Sequence, residues 1–494
     1  MDIFSNILAA LPLLFTLPVI LAMVGGTAVG IMVGALPGLS ATMGIAVLIP
    51  LTFTMDPLVA LGMVAGIYNG AMYGGSIPAI LLRIPGTPAG IATVFDGYPM
   101  AQKGQGPLAL RISLASSSIG SGVSAIALLL LAPPLAAIAL KFSPADYFWL
   151  ALFGMTAIAV LLSNNPAKGL LSTCLGLVVG LVGIDAMTGA ERFAFDEPEL
   201  MSGINIIVLL TGLFAIPPAI DLAVKAFFTE TDAKLDKTAV KFRWSSLIPV
   251  WIKSSVLGVV IGIIPALGGN VAAVLAWNEQ RRSDPDNDQY GKGEPKGVAA
   301  PECANNADTA ATLIPALTLG IPGSAVAAVI LGALLVHGLR PGPQLFRDDP
   351  QIVFGFMLAM FFTAILMFII GRFGARAFIH VLKVPPAVLA PMIIAMTVVG
   401  IYSIHNSMFE VWLMLFFGVL GYAMEKMNIP TAPAVLAVIL GPMAEESLRR
   451  ALLISGDDFS YLVQSWISWI MIAMIAVTLI VPLWKKFKKP PAAT

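Results

Sequence analysis

Long apolar stretches separated by short polar segments are the dominant pattern along the chain. Clear examples cover residues 108–140, 147–162, 203–216, 354–370, 388–401 and 461–483. A helix needs about 20 apolar residues to cross a bilayer. Counting these stretches, with an allowance for broken ones, predicts about a dozen membrane segments. We therefore expect an all-α polytopic membrane protein that is embedded in the lipid bilayer.

Two of the apolar regions carry the same motif. Residues 77–87 read IPAILLRIPGT, and residues 314–324 read IPALTLGIPGS. Asn69 and Asn306 obey the same shift of 237 residues, from 77 to 314. Helix breakers beside polar side chains, in matching positions of two hydrophobic halves, indicate the binding site of a membrane transporter.

A second pair of motifs supports the duplication. Residues 30–40 read GIMVGALPGLS and residues 258–268 read GVVIGIIPALG, with a shift of 228 residues from Pro37 to Pro265. The second half has therefore gained nine residues between its two motifs, and the polar stretch 280–297 accounts for them. The chain is predicted to consist of two repeats with this insertion in the second.

The motifs divide the chain into four segments. They are a first membrane repeat at 1–224, a cytoplasmic connector at 225–244, a second membrane repeat at 245–450, and a C-terminal membrane helix with a basic tail at 451–494. Short loops rich in Lys and Arg stay in the cytoplasm. The connector, the inserted stretch and the tail are all basic, so the segment between the first two must enter the membrane and return. We therefore predict inverted repeats with broken or re-entrant helices, although Lys103 and Arg340 occupy equivalent positions and give no support to inversion.

Composition excludes several classes of protein. Of 494 residues, 58% are hydrophobic and 11% are charged, whereas soluble domains carry about 25% charged residues. The net charge of zero gives no indication of a nucleic-acid partner. Two cysteines form no disulfide framework, and the three histidines have no metal-binding spacing. No hydrolase motif or nucleotide-binding loop is present, so we expect neither an enzyme nor an organic cofactor.

The two Pro-Gly breaks form the predicted substrate site. Non-helical backbone at membrane depth lies in protein or lines a watery cavity, and a helix that starts after the break directs free N–H groups at an anion. Thr87 and Ser324 suit the N-cap position of such helices, and asparagine amides can donate to a carboxylate. The predicted substrate-binding residues are Asn69, Arg83, Pro85, Gly86, Thr87, Asn305, Asn306, Pro322, Gly323 and Ser324.

Each of these features has a plainer alternative. Pro-Gly pairs also serve close packing or a kink, and asparagines also form hydrogen bonds between membrane helices. Arg83 could neutralise an anionic substrate or could extend to the membrane interface. The second repeat has Gly320 at that position. The duplication favours the site for Asn69 and Asn306, whereas Asn305 and Arg83 stay open.

A coupling cation is predicted near the other motif pair. Carbonyl and amide oxygens at broken helices suit a small cation such as Na⁺. The candidates are Gly34, Pro37, Gly38, Ser40, Gly268, Asn270 and Asp308. Glu302 could bind a cation or relay a proton, or could simply complement the start of a helix.

The chain resembles the large membrane subunit of the tripartite tricarboxylate transporters, the TctA family. The resemblance covers nearly the whole chain. It is carried by 34-GALPGLS-40, 73-YGGS-76, 84-IPGTP-88, 96-DGYP-99, 301-PECANN-306 and 321-IPGS-324. Cys303 stands where a smaller, less reactive residue is expected, and the neighbouring Asn and Glu remain.

The resemblance implies a multi-pass permease of the bacterial inner membrane. It would work with a small membrane subunit similar to TctB and with a periplasmic binding protein similar to TctC. That binding protein would deliver a tri- or dicarboxylate such as citrate, and a cation gradient, usually of Na⁺ and otherwise of H⁺, would drive import. A passive anion channel or facilitator is the alternative, because inverted repeats with broken helices also build pores. A membrane enzyme is weakly supported, because no nucleophile–base pair or metal cluster is found.

Overall fold

The computed structural model describes residues 3–36, 38–161, 165–185, 187–225, 242–265, 267–381 and 384–488. Most of the predicted connector, together with Pro37, lies outside these residues. The described chain is almost entirely helical. One short antiparallel pair joins Gly183–Ile184 to Glu191–Arg192.

The first half of the chain contains eleven of the described α-helices. They are α1 (Ile3–Leu14), α2 (Leu17–Ala35), α3 (Ala41–Thr52), α4 (Pro57–Gly74), α5 (Ser76–Leu82), α6 (Ile91–Met100), α7 (Gly106–Ala139), α8 (Pro144–Leu161), α9 (Pro166–Gly180), α10 (Pro198–Met201) and α11 (Ile206–Lys225). A single 3₁₀ turn, Pro88–Gly90, and a π-helical turn, Ala101–Gln105, adjoin α6.

The second half contains the other eleven. They are α12 (Ile248–Ile263), α13 (Gly268–Ser283), α14 (Pro295–Ala311), α15 (Leu313–Leu319), α16 (Ala325–Val336), α17 (Leu345–Asp348), α18 (Pro350–Val381), α19 (Pro386–His405), α20 (Met408–Lys426), α21 (Ala432–Ser455) and α22 (Trp466–Lys488). Further 3₁₀ turns lie at Trp244–Leu247, Asn287–Gln289 and Phe459–Val463.

Nine helical stretches within the described residues are long and apolar enough to cross a membrane. They are Leu17–Ala35, Pro57–Leu82, Pro88–Ala139, Pro144–Leu161, Ile206–Val224, Trp244–Ile263, Pro350–Gly374, Ala387–His405 and Met408–Lys426. Five shorter apolar helices, among them α3 and α16, accompany them. This confirms the predicted all-α polytopic membrane fold. The nine differ from the predicted dozen because several apolar segments form short or broken helices.

Close helix packing explains the glycines in and near the motif pair at residues 30–40 and 258–268. Gly26, Gly30 and Gly34 repeat every fourth residue on α2, and each faces a backbone carbonyl of α4 so closely that a Cβ atom would overlap it. Gly258 of α12 faces the backbone carbonyl of Ala304 of α14 in the same way. Small residues at such spacing let membrane helices approach each other. The main structural role of both motifs of this pair is therefore to pack two helices together.

The long helices of each half pack against helices of the other half. α14 packs most extensively against α7 of the first half, and α4 packs against α18 of the second half. α11 packs against α19 and α20, while α21 packs against α8 and α9. These pairs are related by the shift seen in the sequence. The segment boundaries and the inversion of the repeats stay predictions, because no membrane defines the two faces.

The inserted stretch lies where the sequence indicates. α12 and α13 pack against each other and are joined by a short turn. The chain between α13 and α14 is longer than the link between α3 and α4. Asp96 of α6 holds this insertion: its Oδ1 accepts hydrogen bonds from the backbone N–H groups of Gly291, Gly293 and Glu294 at 2.8–3.0 Å.

Candidate functional site

The two predicted helix breaks have the same backbone geometry. Arg83 (φ 61°, ψ 21°) directly follows α5, and Gly320 (φ 73°, ψ 9°) directly follows α15. Both of these cap residues have a left-handed backbone conformation. An Ile-Pro-Gly segment follows in each case. It leads to a new helical turn at Pro88 or at Ala325. The second break, from Gly320 to Gly323, is buried in the protein, whereas Arg83 and Ile84 of the first break are exposed.

Glycine is required at both breaks by the close approach of backbone. A Cβ atom on Gly86 or on Gly323 would overlap neighbouring atoms. These neighbours are Gly34 and Gly75 at the first break, and Gly262 and Thr312 at the second. Gly34 corresponds to Gly262 in the repeat, and Gly75 corresponds to Thr312. Gly86 N–H also donates to the Gly75 carbonyl at 3.2 Å. Pro85 is half-buried and Pro322 is buried beside them.

The predicted N-caps differ between the breaks. Ser324 caps α16, because its Oγ accepts a hydrogen bond from Ala327 N–H at 3.1 Å. Thr87 stands at the N-cap position of the 3₁₀ turn Pro88–Gly90, which continues directly into α6. Its side chain makes no cap hydrogen bond, so the capping role predicted for it is not observed. The buried Thr87 Oγ1 has no hydrogen-bond partner among the described residues, so this hydroxyl is available to a ligand.

The two matched asparagines form hydrogen bonds between helices. Asn69 Nδ2 donates to Met360 O at 2.9 Å and to Thr363 Oγ1 at 2.8 Å, both on α18. Asn306 Oδ1 accepts from Ser121 Oγ of α7 at 3.4 Å. Each asparagine therefore joins its own repeat to the long helix of the other repeat. This corresponds to the plainer alternative, and their role as substrate contacts stays a prediction.

Three buried oxygen atoms without partners lie on one face of α14 and its C-terminal end. They are Asn305 Oδ1, Asp308 Oδ1 and Thr312 Oγ1, which have no hydrogen-bond partner among the described residues. Their residues are at most 2% exposed. Residues separated by three and four positions share a helix face, so the three oxygens face the same neighbours. A buried polar atom without a partner costs about 1–3 kcal/mol, which a bound ligand would remove.

The neighbours of this oxygen cluster are glycine backbones. A Cβ atom on Gly262 would lie 3.0 Å from Asp308 Oδ1, one on Gly269 would overlap Asn305 Oδ1, and one on Gly323 would overlap Thr312 Oγ1. A Cβ atom on Gly269 would also lie 3.4 Å from Asp308 Oδ2. The cluster thus lies where the turn between α12 and α13 meets the second break.

The other predicted cation ligands are engaged differently. Gly34 packs against the carbonyl of Ala71, and Ser40 Oγ caps α3 by accepting from Met43 N–H at 3.2 Å. Gly38 and Gly268 supply the positive φ angles of 89° and 65° that their turns need. Asn270 is exposed, and Pro37 lies outside the described residues. Of this set, only Asp308 belongs to the oxygen cluster.

Glu302 is a second buried carboxyl, one and a half turns before Asp308. Its Oε1 accepts from Thr93 Oγ1 at 2.5 Å, and its Oε2 accepts from Ser117 Oγ at 2.9 Å and from Ser113 Oγ at 3.2 Å. All three hydroxyl donors belong to the first half. Glu302 is therefore well satisfied, in contrast to Asp308.

Comparison with known proteins agrees with this architecture. The family model described as the tripartite tricarboxylate transporter TctA family matches residues 20–436. The chain belongs to the TctA family. It is 35% identical, over 93% of its length and 92% of the relative's, to an uncharacterized 52.8 kDa protein in the TAR-I ttuC' 3' region of Agrobacterium vitis.

A second relative covers less of the chain. An uncharacterized protein in the TAR-II ttuC' 3' region of the same organism is 33% identical over 46% of this chain and 93% of its own length. No solved structure matches. Membership of the TctA family means that this multi-pass membrane protein is a component of a tripartite transporter and belongs to a family of transporters rather than enzymes.

The residues at the site differ in how much signal a single sequence carries for them. Thr312 differs from Gly75, its partner in the repeat, and that difference could have identified it. The hydroxyls around Glu302 lie 185–209 positions away in the chain, so only the fold brings them to it. Asp96 was part of a quoted motif, yet nothing in its sequence context shows that it binds the insertion.

Proposed function

We propose that this TctA-family chain is a cation-coupled secondary transporter that imports tri- or dicarboxylate anions, with Na⁺ as the coupling ion. The oxygen cluster of Asn305, Asp308 and Thr312 carries the proposal. A buried carboxylate without a counter-ion is costly in a membrane protein, and such groups mark ion pathways. A cation that binds there satisfies all three oxygens and neutralises Asp308.

The ligand set favours Na⁺ over a proton. A proton would satisfy only the carboxyl group, whereas the neutral oxygens of Asn305 and Thr312 would stay without partners. Hard cations bind carboxylate, amide, hydroxyl and backbone oxygens together. The carbonyl of Gly262 lies beside Gly323 and Thr312 and is a fourth oxygen within the same neighbourhood.

The anion site is proposed at the two breaks next to this cluster. Thr87 Oγ1 is buried and has no partner. The hydroxyl of Tyr68 lies near both Ser324 and Asp308. Tyr68 therefore connects the second break to the cation cluster. A bound cation would lower the cost of placing a carboxylate nearby, and this mutual stabilisation would couple the two fluxes.

The remaining parts of the proposal follow from the family resemblance. The chain would reside in a bacterial inner membrane, together with a small TctB-like membrane subunit. A TctC-like periplasmic binding protein would deliver the carboxylate. Citrate is the first substrate to test, because a tricarboxylate is named in the family description.

The proposal is tested by uptake of labelled citrate into proteoliposomes that contain the complete tripartite complex. Accumulation above equilibrium is expected under an inward Na⁺ gradient and not under choline. Thr312→Val should reduce the Na⁺-driven rate by at least tenfold. Thr318→Val is the matched control, because its buried hydroxyl donates to Ile314 O in its own helix at 2.6 Å.

Two outcomes would contradict the coupling. Undiminished accumulation without any Na⁺ or H⁺ gradient would exclude a cation-driven mechanism. Uptake that only reaches equilibrium, with or without Na⁺, would instead favour a passive facilitator.

A further inference from the structure

A cavity of about 560 Å³ lies between α6, α13 and the inserted stretch. Two arginines, Arg83 and Arg281, line it together with the aromatic rings of Tyr98, Trp277 and Tyr290. Arg83 stacks over Tyr98 at 5.8 Å, and Arg281 stacks over Trp277 at 5.6 Å. None of the lining residues is acidic, so the lining itself carries two positive charges and no carboxylate.

The backbone at Arg83 shows that its side chain is retained at a cost. Arg83 has φ 61°, a left-handed conformation that costs a non-glycine residue about 1 kcal/mol or more. The second repeat has glycine in the same conformation at position 320. Backbone strain that persists beside a cavity indicates a functional side chain. Here the difference from glycine is a guanidinium group on the cavity wall.

Neither guanidinium has an ion-pair partner among the described residues. The neighbouring carboxylates are already occupied. Asp96 accepts from the insertion backbone and from Trp277 Nε1 at 2.8 Å. Asp284 pairs with Lys296 at 2.8 Å and accepts from the Tyr290 hydroxyl at 2.9 Å. The hydrogen bond to Asp284 also raises the pKa of Lys296, which stays charged.

Ring contacts and one further hydrogen bond hold the aromatic wall of the cavity and the inserted stretch together. Trp277 stacks edge-on against Phe95 at 5.0 Å and against Tyr290 at 6.1 Å. Lys103 Nζ donates to Lys292 O at 2.5 Å, which attaches the insertion to the first half a second time. Pre-positioned charges bind an anion with less ordering cost than mobile ones.

We propose that this cavity is a second carboxylate site beside the first break, apart from Thr87 and Ser324, in which Arg83 and Arg281 bind a di- or tricarboxylate at one mouth of the transport path. The site rests on the proposed function, because it takes the same anion. Arg83 directly precedes the segment that leads to Thr87, so an anion held there lies beside the first break. By the distribution of basic loops this mouth faces the cytoplasm, and it is the point from which substrate is released.

Direct binding to the purified chain in detergent tests the site apart from transport. Citrate would be titrated in Na⁺-free choline buffer, with intrinsic tryptophan fluorescence and heat as readouts. Saturable binding that weakens as choline chloride is raised is expected. Arg83→Gly and Arg281→Gln should each weaken it about tenfold or more, the usual loss for one charge-assisted contact.

Controls separate charge from folding. Arg282→Gln is the matched control, because Arg282 neighbours Arg281 but pairs with Glu279 at 2.8 Å and does not line the cavity. Arg83→Gly removes backbone strain, so it should unfold no earlier than the wild type.

Wild-type affinity in both Arg83→Gly and Arg281→Gln would overturn the site. So would the absence of any Na⁺-independent citrate binding. Both results leave the Na⁺-driven uptake of the complex intact as a separate measurement, so failure of this site and failure of the proposed function are distinguishable.

Discussion

The two helix breaks share one backbone but carry opposite charges. At the second break, α14 presents Asn305, Asp308 and Thr312; the positions related to them by the repeat shift are Tyr68, Ala71 and Gly75. At the first break, Arg83 replaces Gly320. The repeats therefore share the backbone conformation of the break but differ in the charged and polar side chains around it. A cation at one break and an anion-binding arginine at the other would follow from changes at only four positions.

The largest effect is expected from the charge at the second break. Asp308→Asn keeps the shape of the side chain but removes the negative charge that a cation would neutralise. Na⁺-driven citrate uptake should fall at least 100-fold, an effect of about 3 kcal/mol. Asn305→Leu should cost about tenfold, because it removes a neutral ligand. Uptake by Asp308→Asn at more than half the wild-type rate, in proteoliposomes with equal protein, would contradict the assignment.

The next largest difference is expected between alanine substitutions of the glycines at the two breaks. An added methyl at Gly86 meets the backbone oxygens of Gly34 and Gly75, which cannot move, whereas at Gly323 it first meets the Thr312 hydroxyl. Gly86→Ala should therefore lose several kcal/mol of stability, in line with overpacking of a dense core. Gly323→Ala should fold better and instead lose Na⁺ dependence. Thermal unfolding and Na⁺-dependent uptake separate the two; equal stability would weaken the comparison.

A smaller effect is expected from the matched asparagines. Asn69→Leu removes two hydrogen bonds to α18, and Asn306→Leu removes one from Ser121. Hydrogen bonds between membrane helices contribute about 0.6–2 kcal/mol, so Asn69→Leu should lower the unfolding temperature more. If instead Asn69→Leu unfolds as the wild type does and loses only transport, then Asn69 contacts substrate.

The smallest effect concerns the left-handed residues at the helix ends. Arg83→Gly should raise the free energy of unfolding by about 1 kcal/mol, and Gly320→Ala should lower it by a similar amount. Thermal unfolding in detergent measures both changes. The same direction of change in the two variants would show that the two ends are not equivalent.

Much of this comparison was predictable from the sequence. The IPGT and IPGS strings predicted both breaks, because Pro and Gly interrupt a helix wherever the surrounding residues are apolar. Ser324 as an N-cap followed from the same pattern, and so did the position of the insertion. These features depend on local backbone chemistry, which a sequence records directly.

The side-chain contacts were not predictable in the same way. Asn69 could equally contact substrate or a helix, and its partners on α18 lie 291–294 positions away. Thr87 makes no cap hydrogen bond although a helix begins after it, and its side chain packs beside Gly75, a contact that only the fold provides. Asp308 was among the candidate ligands, but the grouping with Asn305 and Thr312 needed the neighbouring glycine turns to be placed.

The second break is proposed to bind a cation, and the first break is not. Calorimetric titration of NaCl into the purified chain, in choline buffer, measures this difference. We expect saturable Na⁺ binding that is lost in Asp308→Asn, weakened about tenfold in Thr312→Val and unchanged in Thr318→Val. Wild-type Na⁺ affinity in Asp308→Asn would exclude the cation site at the second break.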